Sequence, residues 1–378
     1  MRAIGDGRLK TALRAGLFLL AVASGLGSGQ AVERDGDLPA LEEIYGQLLI
    51  VGFRGTEPDD PGVAQASADL RRGLVGGLIL FERNIVDEPQ LAALLGHLQS
   101  APSAEPPFLA VDQEGGAVQR LARLNGVQRQ PSARWVGANT SPEVAQTLYG
   151  QMAGRIAKLG FNLNLAPVVD LDRGARSPVI GRLRRSFGSD PDAVVRYAAA
   201  FIEAHRAHGV LTALKHWPGH GSSAADPHVA VADATDSWQA DERAPFARLL
   251  ETGQADMIMT GHVHHLDWGE GDGRPASLSP SAIQLALRQK LGFEGVVVTD
   301  DIQMEAALAG RSLAEAIVLA LAAGNDIVLI ANMQAHQPDV ARYGVDAIKQ
   351  AVADGRLDLE ALKTSYRRVV SLKRRLRR

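Results

Sequence analysis

Residues 210–221 read VLTALKHWPGHG, and this stretch decides the fold. The apolar run 210–214 is typical of a buried strand, and it leads directly into Lys215 and His216 before a Pro-Gly pair interrupts regular structure. A cation and an imidazole therefore follow the carboxyl end of a strand, in a loop. Parallel α/β barrels assemble their active sites at that end of their strands, so the stretch predicts a functional site as well as a strand.

Short apolar runs of this kind recur along the chain, and segments with helical periodicity separate them. Eight runs are predicted as strands, at residues 47–53, 75–81, 108–111, 162–169, 210–214, 257–260, 295–299 and 326–330. The helical segments include residues 89–99, 143–159, 192–208 and 281–291. Strands that are apolar on both faces belong to a parallel sheet covered by helices. The pattern predicts an α/β fold, a single-domain (β/α)8 barrel of the TIM type; an open doubly wound sheet is the alternative, because periodicity does not show closure.

The N-terminus has the composition of an export signal. Basic residues precede the apolar stretch 15–26, and small residues up to Ala31 offer a cleavage site. We therefore expect a signal peptide at residues 1–31, a barrel domain at residues 32–378, and a periplasmic or secreted protein. Retention of the segment as an anchor is the alternative, although its apolar part is short for a membrane span.

Charge and composition limit the partners. Without residues 1–31 the chain loses four of its 40 Lys and Arg and one of its 43 Asp and Glu, which leaves a net charge of −6. A mildly acidic protein is not expected to bind nucleic acid. The absence of Cys from the sequence excludes disulfides and thiolate metal ligands. The basic segment 367–378 predicts an amphipathic last helix, either packed on the protein or in peripheral contact with an anionic envelope surface.

Polar side chains follow most of the predicted strands. They are Asp112, Arg120, Asp170, Arg185, Lys215, His216, His262, Asp300 and Asp301. In a barrel these side chains converge on one face. Arg or Lys beside Asp supplies the dense donors and acceptors that a polyhydroxylated ligand needs, so the sequence predicts a sugar. Asp170 and Asp301 can instead cap the helices that follow them.

Several motifs in a fixed order carry a family resemblance. They are VGGLILFERN (75–84), VDQEGG (111–116), NLAPVVD (164–170), RSF (185–187), KHWPGHG (215–221) with Asp226 and His228, RPAS (274–277) and TDD (299–301). Together they resemble family 3 glycoside hydrolases, in particular the single-domain β-N-acetylhexosaminidase branch. The resemblance extends from about residue 41 to about residue 330.

The resemblance implies an enzyme that hydrolyses terminal β-linked N-acetylglucosamine with retention, through a covalent glycosyl-enzyme intermediate and without metal or organic cofactor. By position, Asp300 matches the nucleophile, His228 the general acid/base, and Asp226 the carboxylate that orients this histidine. The matching sugar-binding positions are Asp112, Arg120, Arg185, Lys215 and His216.

Two departures from the family pattern matter. Pro227 stands where the branch usually has a small flexible residue, and this can stiffen the acid/base loop. The stretch 182–184 is longer than usual, so Arg184 competes with Arg185 for the sugar contact.

Other readings remain open at this point. A β-glucosidase or a phosphorolytic enzyme of the same family would share the motifs, and a non-catalytic glycan-binding barrel would share the binding residues. A metal-dependent barrel hydrolase would use the cluster His262, His264 and His265 as ligands. Peptidoglycan fragments, chitooligosaccharides and host glycans are all candidate substrates of an exported enzyme.

Overall fold

Eight parallel strands form the central sheet of a computed structural model that describes residues 38–101, 105–124, 129–227, 232–268 and 273–377. The strands are β1 (Leu49–Gly52), β2 (Gly77–Ile79), β3 (Phe108–Val111), β4 (Leu163–Asn164), β5 (Leu211–Trp217), β6 (Met257–Thr260), β7 (Val296–Thr299) and β8 (Val328–Ile330). Each lies within or overlaps one of the eight predicted runs. The described residues belong to one unit, Pro39–Arg378, apart from Leu38. The predicted boundary after residue 31 lies outside them.

The sheet closes into a barrel. Consecutive strands from β1 to β7 are hydrogen-bonded neighbours, and β1 also pairs with β8. The remaining gap, between β7 and β8, is bridged by a parallel pairing of Val298 with Ile327, in which Thr299 N–H donates to the Ile327 carbonyl at 3.0 Å. The prediction of a (β/α)8 barrel is therefore confirmed, and the open doubly wound alternative is wrong.

Helices cover the outside of the barrel. They are α1 (Leu41–Gln47), α2 (Pro61–Arg71), α3 (Glu88–Gln99), α4 (Ala133–Asn139), α5 (Pro142–Leu159), α6 (Pro191–Arg206), α7 (Ala244–Glu251), the π-type helix α8 (Ser281–Lys290), α9 (Glu305–Leu308), α10 (Leu313–Ala323), α11 (Val340–Ala353) and α12 (Leu359–Lys373). Side chains of Asp87, Ser141 and Asp190 cap α3, α5 and α6 by accepting N–H bonds of the first turn. Within the described residues, no helix is both long and apolar enough to cross a membrane.

Strand β5 is longer than predicted. Lys215 and Trp217 do not lie in a loop, because they continue the pairing of β5 with Met259 and Thr260 of β6. The carbonyl of Lys215 also accepts the Val169 N–H at 2.8 Å. The Lys215 and Trp217 side chains are both buried. The strand therefore carries its functional side chains directly, as part of the sheet.

Helix α12 packs against the amino-terminal end of the barrel through its basic side chains. Arg368 pairs with Asp326 at 3.0 Å, and Arg375, just after the helix, pairs with Asp256 at 2.7 Å. Lys373 is fully buried, and its ammonium donates to Gly76 and Gln47 oxygens at 2.6 Å. These three basic side chains contact the protein itself. Contact of the C-terminal segment with an envelope surface stays a prediction.

Candidate active site

A cavity of about 340 Å³ opens at the carboxyl ends of the strands. This end is where a barrel of this type places its chemistry. Seven of the eight predicted site residues line the cavity: Asp112, Arg120, Arg185, Lys215, His216, Asp226 and Asp300. The eighth, His228, lies outside the described residues. Apolar side chains such as Phe81, Met259 and Met304 complete the wall.

A network of alternating charges forms one side of the cavity. The Lys215 ammonium lies 3.0 Å from Asp112 and 2.7 Å from Glu114, and Arg185 holds Glu114 with two parallel bonds of 2.8 and 2.7 Å. Arg120 reaches the other oxygen of Asp112 at 3.5 Å. Bidentate pairing of this kind fixes the orientation of the guanidinium as well as its charge.

Burial and charge act against each other on these groups. Burial raises the pKa of Glu114, but Arg185 and Lys215 outweigh it and hold that pKa well below its usual range. Burial lowers the pKa of Lys215, and Asp112 and Glu114 more than reverse the effect. Both groups are therefore charged at neutral pH. The network offers fixed donors and acceptors to a ligand in the cavity.

Asp300 follows β7 and lines the same cavity. Its Oδ1 accepts the Asp301 N–H at 2.8 Å, and its Oδ2 lies 3.9 Å from His216 Nε2. Burial alone raises the pKa of Asp300, but His216, His262 and Lys215 together lower it to about 2. Asp300 is therefore a carboxylate at any pH in the physiological range, as a nucleophile must be.

Asp301 is used differently although it is the next residue. Its Oδ1 accepts backbone N–H groups of Gln303 at 3.2 Å and Ala331 at 2.9 Å, and its carbonyl pairs with His262 Nε2 at 2.9 Å. The alternative that Asp301 caps the following helix is wrong, because Met304 is the N-cap of α9 and the Asp301 carboxylate accepts from Gln303 and Ala331 instead. The geometry thus separates the two neighbouring aspartates, because Asp300 is the one next to His216.

Asp170 does not cap a helix; it holds the imidazole of His216. The carboxylate is completely buried and accepts the His216 Nδ1 at 2.7 Å, together with the backbone N–H groups of His216 at 3.1 Å and His220 at 2.8 Å. Burial raises the pKa of Asp170, but the two histidines bring it below its usual range. Asp170 therefore fixes the orientation of the His216 ring, with Nδ1 toward Asp170 and Nε2 toward Asp300.

Arg185, and not Arg184, reaches the cavity. Arg184 is exposed and adopts a left-handed backbone with φ of 59°, whereas the half-buried Arg185 side chain lies between Glu114 and the Val179 carbonyl. The Nη2 of Arg185 also lies 3.4 Å from His216 Nε2. The long stretch 182–184 turns outward, with only Leu183 at the rim of the cavity.

The three histidines considered as metal ligands do not share a centre. His262 Nδ1 pairs with Ser277 Oγ at 2.7 Å, His264 Nδ1 lies 3.3 Å from Asp233, and His265 Nδ1 accepts the Asp267 N–H at 3.0 Å. Among the described residues, no group of three His, Asp or Glu side chains is arranged to hold a metal ion. The donor geometry gives no support to a metal-dependent hydrolase.

Besides Asp170, two buried carboxylates of the site region, Glu114 and Glu242, were not among the eight predicted site residues. Glu114 belongs to the motif VDQEGG and lies two residues after Asp112, so its position was visible in the sequence. Glu242 lies in the turn Ala240–Arg243, far along the chain from any motif, and its carboxylate contacts the loop that follows β5. Only the fold brings Glu242 to this loop.

Comparison with known proteins agrees with this arrangement of a closed barrel around a charged cavity. The family model for the glycosyl hydrolase family 3 N-terminal domain matches residues 40–372. The chain belongs to this family and is a glycoside hydrolase.

Relatives with similar sequences are beta-hexosaminidases. A beta-hexosaminidase of Tolumonas auensis is 38% identical over 292 residues, which cover 76% of this chain and 83% of that protein. A beta-hexosaminidase of Pseudomonas aeruginosa is 40% identical over 271 residues, covering 70% and 78%.

Solved structures give the same picture. A beta-N-acetylhexosaminidase from Beutenbergia cavernae superposes with a TM-score of 0.79 at 32% identity, covering 89% of this chain and 98% of that one. A beta-N-acetylglucosaminidase of the same family from Paenibacillus has a TM-score of 0.81 at 32% identity, and the match covers 90% of this chain but 63% of that longer chain. A single barrel is therefore the whole of some relatives and a part of others.

Proposed function

We propose that this chain is a retaining β-N-acetylhexosaminidase that releases terminal β-linked N-acetylglucosamine and uses Asp300 as its nucleophile. One observation carries the proposal: an ionised carboxylate faces a charged cavity of about 340 Å³ at the carboxyl end of the barrel. The beta-hexosaminidases to which the chain is similar supply the sugar class.

The first half of the reaction forms a covalent intermediate. The Asp300 carboxylate attacks the anomeric carbon while the bond to the leaving oxygen breaks, and His228 as imidazolium donates its proton to that oxygen. In the second half, neutral His228 takes a proton from water, whose oxygen attacks the anomeric carbon and releases Asp300. Asp226, which lines the cavity, orients and charges the imidazole.

The charged network holds the sugar. Lys215 and Arg185 donate to hydroxyl oxygens, and Asp112 accepts hydroxyl protons, while Arg120 and His216 line the same cavity. Because Asp112 and Glu114 already fix Lys215, the donors do not reorganise when the sugar arrives. No step requires a metal or an organic cofactor.

A panel of p-nitrophenyl β-glycosides tests the proposal. We expect kcat/KM on the N-acetylglucosaminide to exceed that on the glucoside by at least about tenfold, since a site built to hydrogen-bond a substituent rejects an analogue that lacks it. Preference for the glucoside would identify a β-glucosidase, and accumulation of the sugar 1-phosphate in phosphate buffer would identify a phosphorolytic enzyme. Binding without turnover would identify a non-catalytic glycan-binding barrel.

Substitution of His228 tests the proton donor. His228→Ala should reduce kcat/KM strongly on phenyl β-N-acetylglucosaminide and weakly on the dinitrophenyl analogue, whose leaving group needs little protonation. Equal losses on the two substrates would remove His228 from the role of proton donor.

Export and a cell-wall substrate complete the proposal. The basic and apolar N-terminus supports cleavage near Val32 and a location in the periplasm or outside the cell, where peptidoglycan fragments are a source of the sugar. N-terminal sequencing of the native protein tests this. An intact Met1 on protein from the cytoplasm would contradict it.

A further inference from the structure

The loop between β5 and Asp226 is fastened at several points. Gly219 N–H donates to the His216 carbonyl at 2.8 Å, and His220 N–H donates to Asp170 at 2.8 Å. At its far end, the Pro227 carbonyl accepts the Ala306 N–H at 3.1 Å. The loop therefore begins after Trp217 and reaches Asp226 with its backbone held at several points.

Glu242 supplies the fastening in the middle of this loop. Its carboxylate is completely buried and accepts the Gly221 N–H at 2.9 Å and the Ser222 hydroxyl. Arg173 Nε approaches the same carboxylate at 4.0 Å, but Arg173 is itself paired with Asp241. The Glu242 carboxylate thus accepts hydrogen bonds mainly from two consecutive loop residues, Gly221 and Ser222.

The loop lies directly on the Glu242 side chain. A Cβ on Gly219 would stand 2.6 Å from Glu242 Cβ, and a Cβ on Gly221 would stand 2.0 Å from the Leu171 carbonyl oxygen. Gly219 also has a φ of +118°, which L side chains rarely adopt. Because neither glycine carries a Cβ, the loop backbone can lie within hydrogen-bonding distance of the Glu242 carboxylate.

Burying a carboxylate costs desolvation free energy, which its hydrogen bonds to the loop must offset. Burial raises the pKa of Glu242 to about 7, Ser222 opposes the rise, and the nearby Asp170 adds to it. Asp170 holds His220 and Glu242 holds Gly221, so two buried carboxylates grip adjacent residues of one loop. Packing with an apolar residue would fill the space but leave both loop donors without an acceptor.

We propose that Glu242 is a positioning residue for proton transfer: it fixes the loop that carries Asp226, the proposed partner of the acid/base group, into the cavity. The inference rests on the proposed function. A misplacement of about 1 Å in a catalytic group can reduce the rate about 100-fold, which sets the scale of the expected effect.

Leaving-group dependence tests the role. Glu242→Ala should reduce kcat/KM by about 10- to 100-fold on phenyl β-N-acetylglucosaminide and by less than about threefold on the dinitrophenyl analogue, because only the first needs the proton donor in place. Glu242→Gln keeps an oxygen that can accept the Gly221 N–H, and it should restore most of the loss. Glu251→Ala, which removes an exposed carboxylate at the end of α7, is the matched control and should behave as wild type.

Each outcome decides the inference. Equal losses on both substrates, or wild-type rates for Glu242→Ala, would overturn it. If Glu242→Ala does not fold, Ser222→Ala removes one of the two loop contacts and should show the same selective loss at about three- to tenfold; an equal loss, or none, would overturn the inference. If wild-type protein hydrolyses neither substrate, the proposed function fails instead.

Discussion

The two ends of the barrel bury charged side chains in different ways. At the amino-terminal end, Asp256 accepts from Arg206 and Arg375 and also from the backbone and hydroxyl of Thr212. Asp326 is surrounded in the same manner by Arg288, Arg368, Val297 N–H and Ser365. These carboxylates use all their oxygen lone pairs within the protein, and they tie helices to strands.

At the carboxyl end, the charges border open space. Lys215, Glu114 and Arg185 are as tightly paired as the charges at the amino-terminal end. Asp300 differs, because among the described residues it accepts one close hydrogen bond, from the Asp301 N–H, and its other oxygen lies 3.9 Å from His216 Nε2. The difference shows that buried charge alone does not mark a catalytic site. What marks it is a charged group whose hydrogen-bonding capacity is left for a ligand.

The largest expected effect is a loss of activity without a loss of stability, from a substitution at the carboxyl end. Asp300→Ala should lower kcat by several orders of magnitude, because it removes the covalent catalyst, while the free energy of unfolding changes by less than about 1 kcal/mol. Rates on p-nitrophenyl β-N-acetylglucosaminide and urea unfolding measure the two quantities. Asp301→Ala is the neighbouring control; a larger rate loss there than in Asp300→Ala would move the nucleophile by one residue.

At the amino-terminal end we expect the opposite result, a loss of stability with little loss of activity. Asp326→Ala leaves Arg288 buried without its partner, so the free energy of unfolding should fall by about 3–5 kcal/mol. The kcat/KM of the protein that remains folded should stay within about twofold of wild type, because Asp326 lies before β8 and not at its carboxyl end. Urea unfolding and assays at low temperature check this. A large loss of kcat with unchanged stability would contradict the division between the two ends.

The sequence predicted the positions of strands and of the residues at their ends, but not the partners of those residues. The apolar runs located all eight strands, and Asp112, Lys215 and Asp300 line the cavity because parallel strands end at the same face. The length of β5 escaped prediction, since Lys215 looks like a strand end until Asp112 and Glu114 neutralise its charge.

Partners that are distant in sequence could not be predicted. Asp170 was visible as a strand-end carboxylate, but its bond to the His216 imidazole depends on how β4 and β5 lie in the barrel. Glu242 belongs to no motif, and its contact with Gly221 exists only because the turn after the loop folds back under it. The local sequence pattern identifies the strand-end residues, but their contacts depend on how the strands are arranged in the closed barrel.

The last prediction concerns how stability at the amino-terminal end depends on pH, where the expected change per pH unit is the smallest of these effects. Burial lowers the pKa of Lys373 from 10.5 to about 7, because its ammonium has neutral partners: two oxygens and the face of Phe108. Between these two pKa values the unfolded chain holds a proton that the folded protein has released, so the free energy of unfolding rises with pH, by at most about 1.4 kcal/mol per unit. This gain is complete above pH 10.5 and is lost as the pH falls toward 7.

Lys373→Met keeps the length of the side chain and removes the titration. Loss of the bonds to Gln47 and Gly76 lowers the whole curve, but it does so equally at each pH, so the slope between pH 7 and about pH 9.5 should flatten. Urea unfolding at half-unit steps measures the slope, and Lys349→Met on the exposed face of α11 is the control with the wild-type slope. Identical slopes in wild type and Lys373→Met would mean that Lys373 stays charged in the folded protein. The neutral oxygens of Gln47 and Gly76 would then be enough to stabilise a buried ammonium at this end of the barrel.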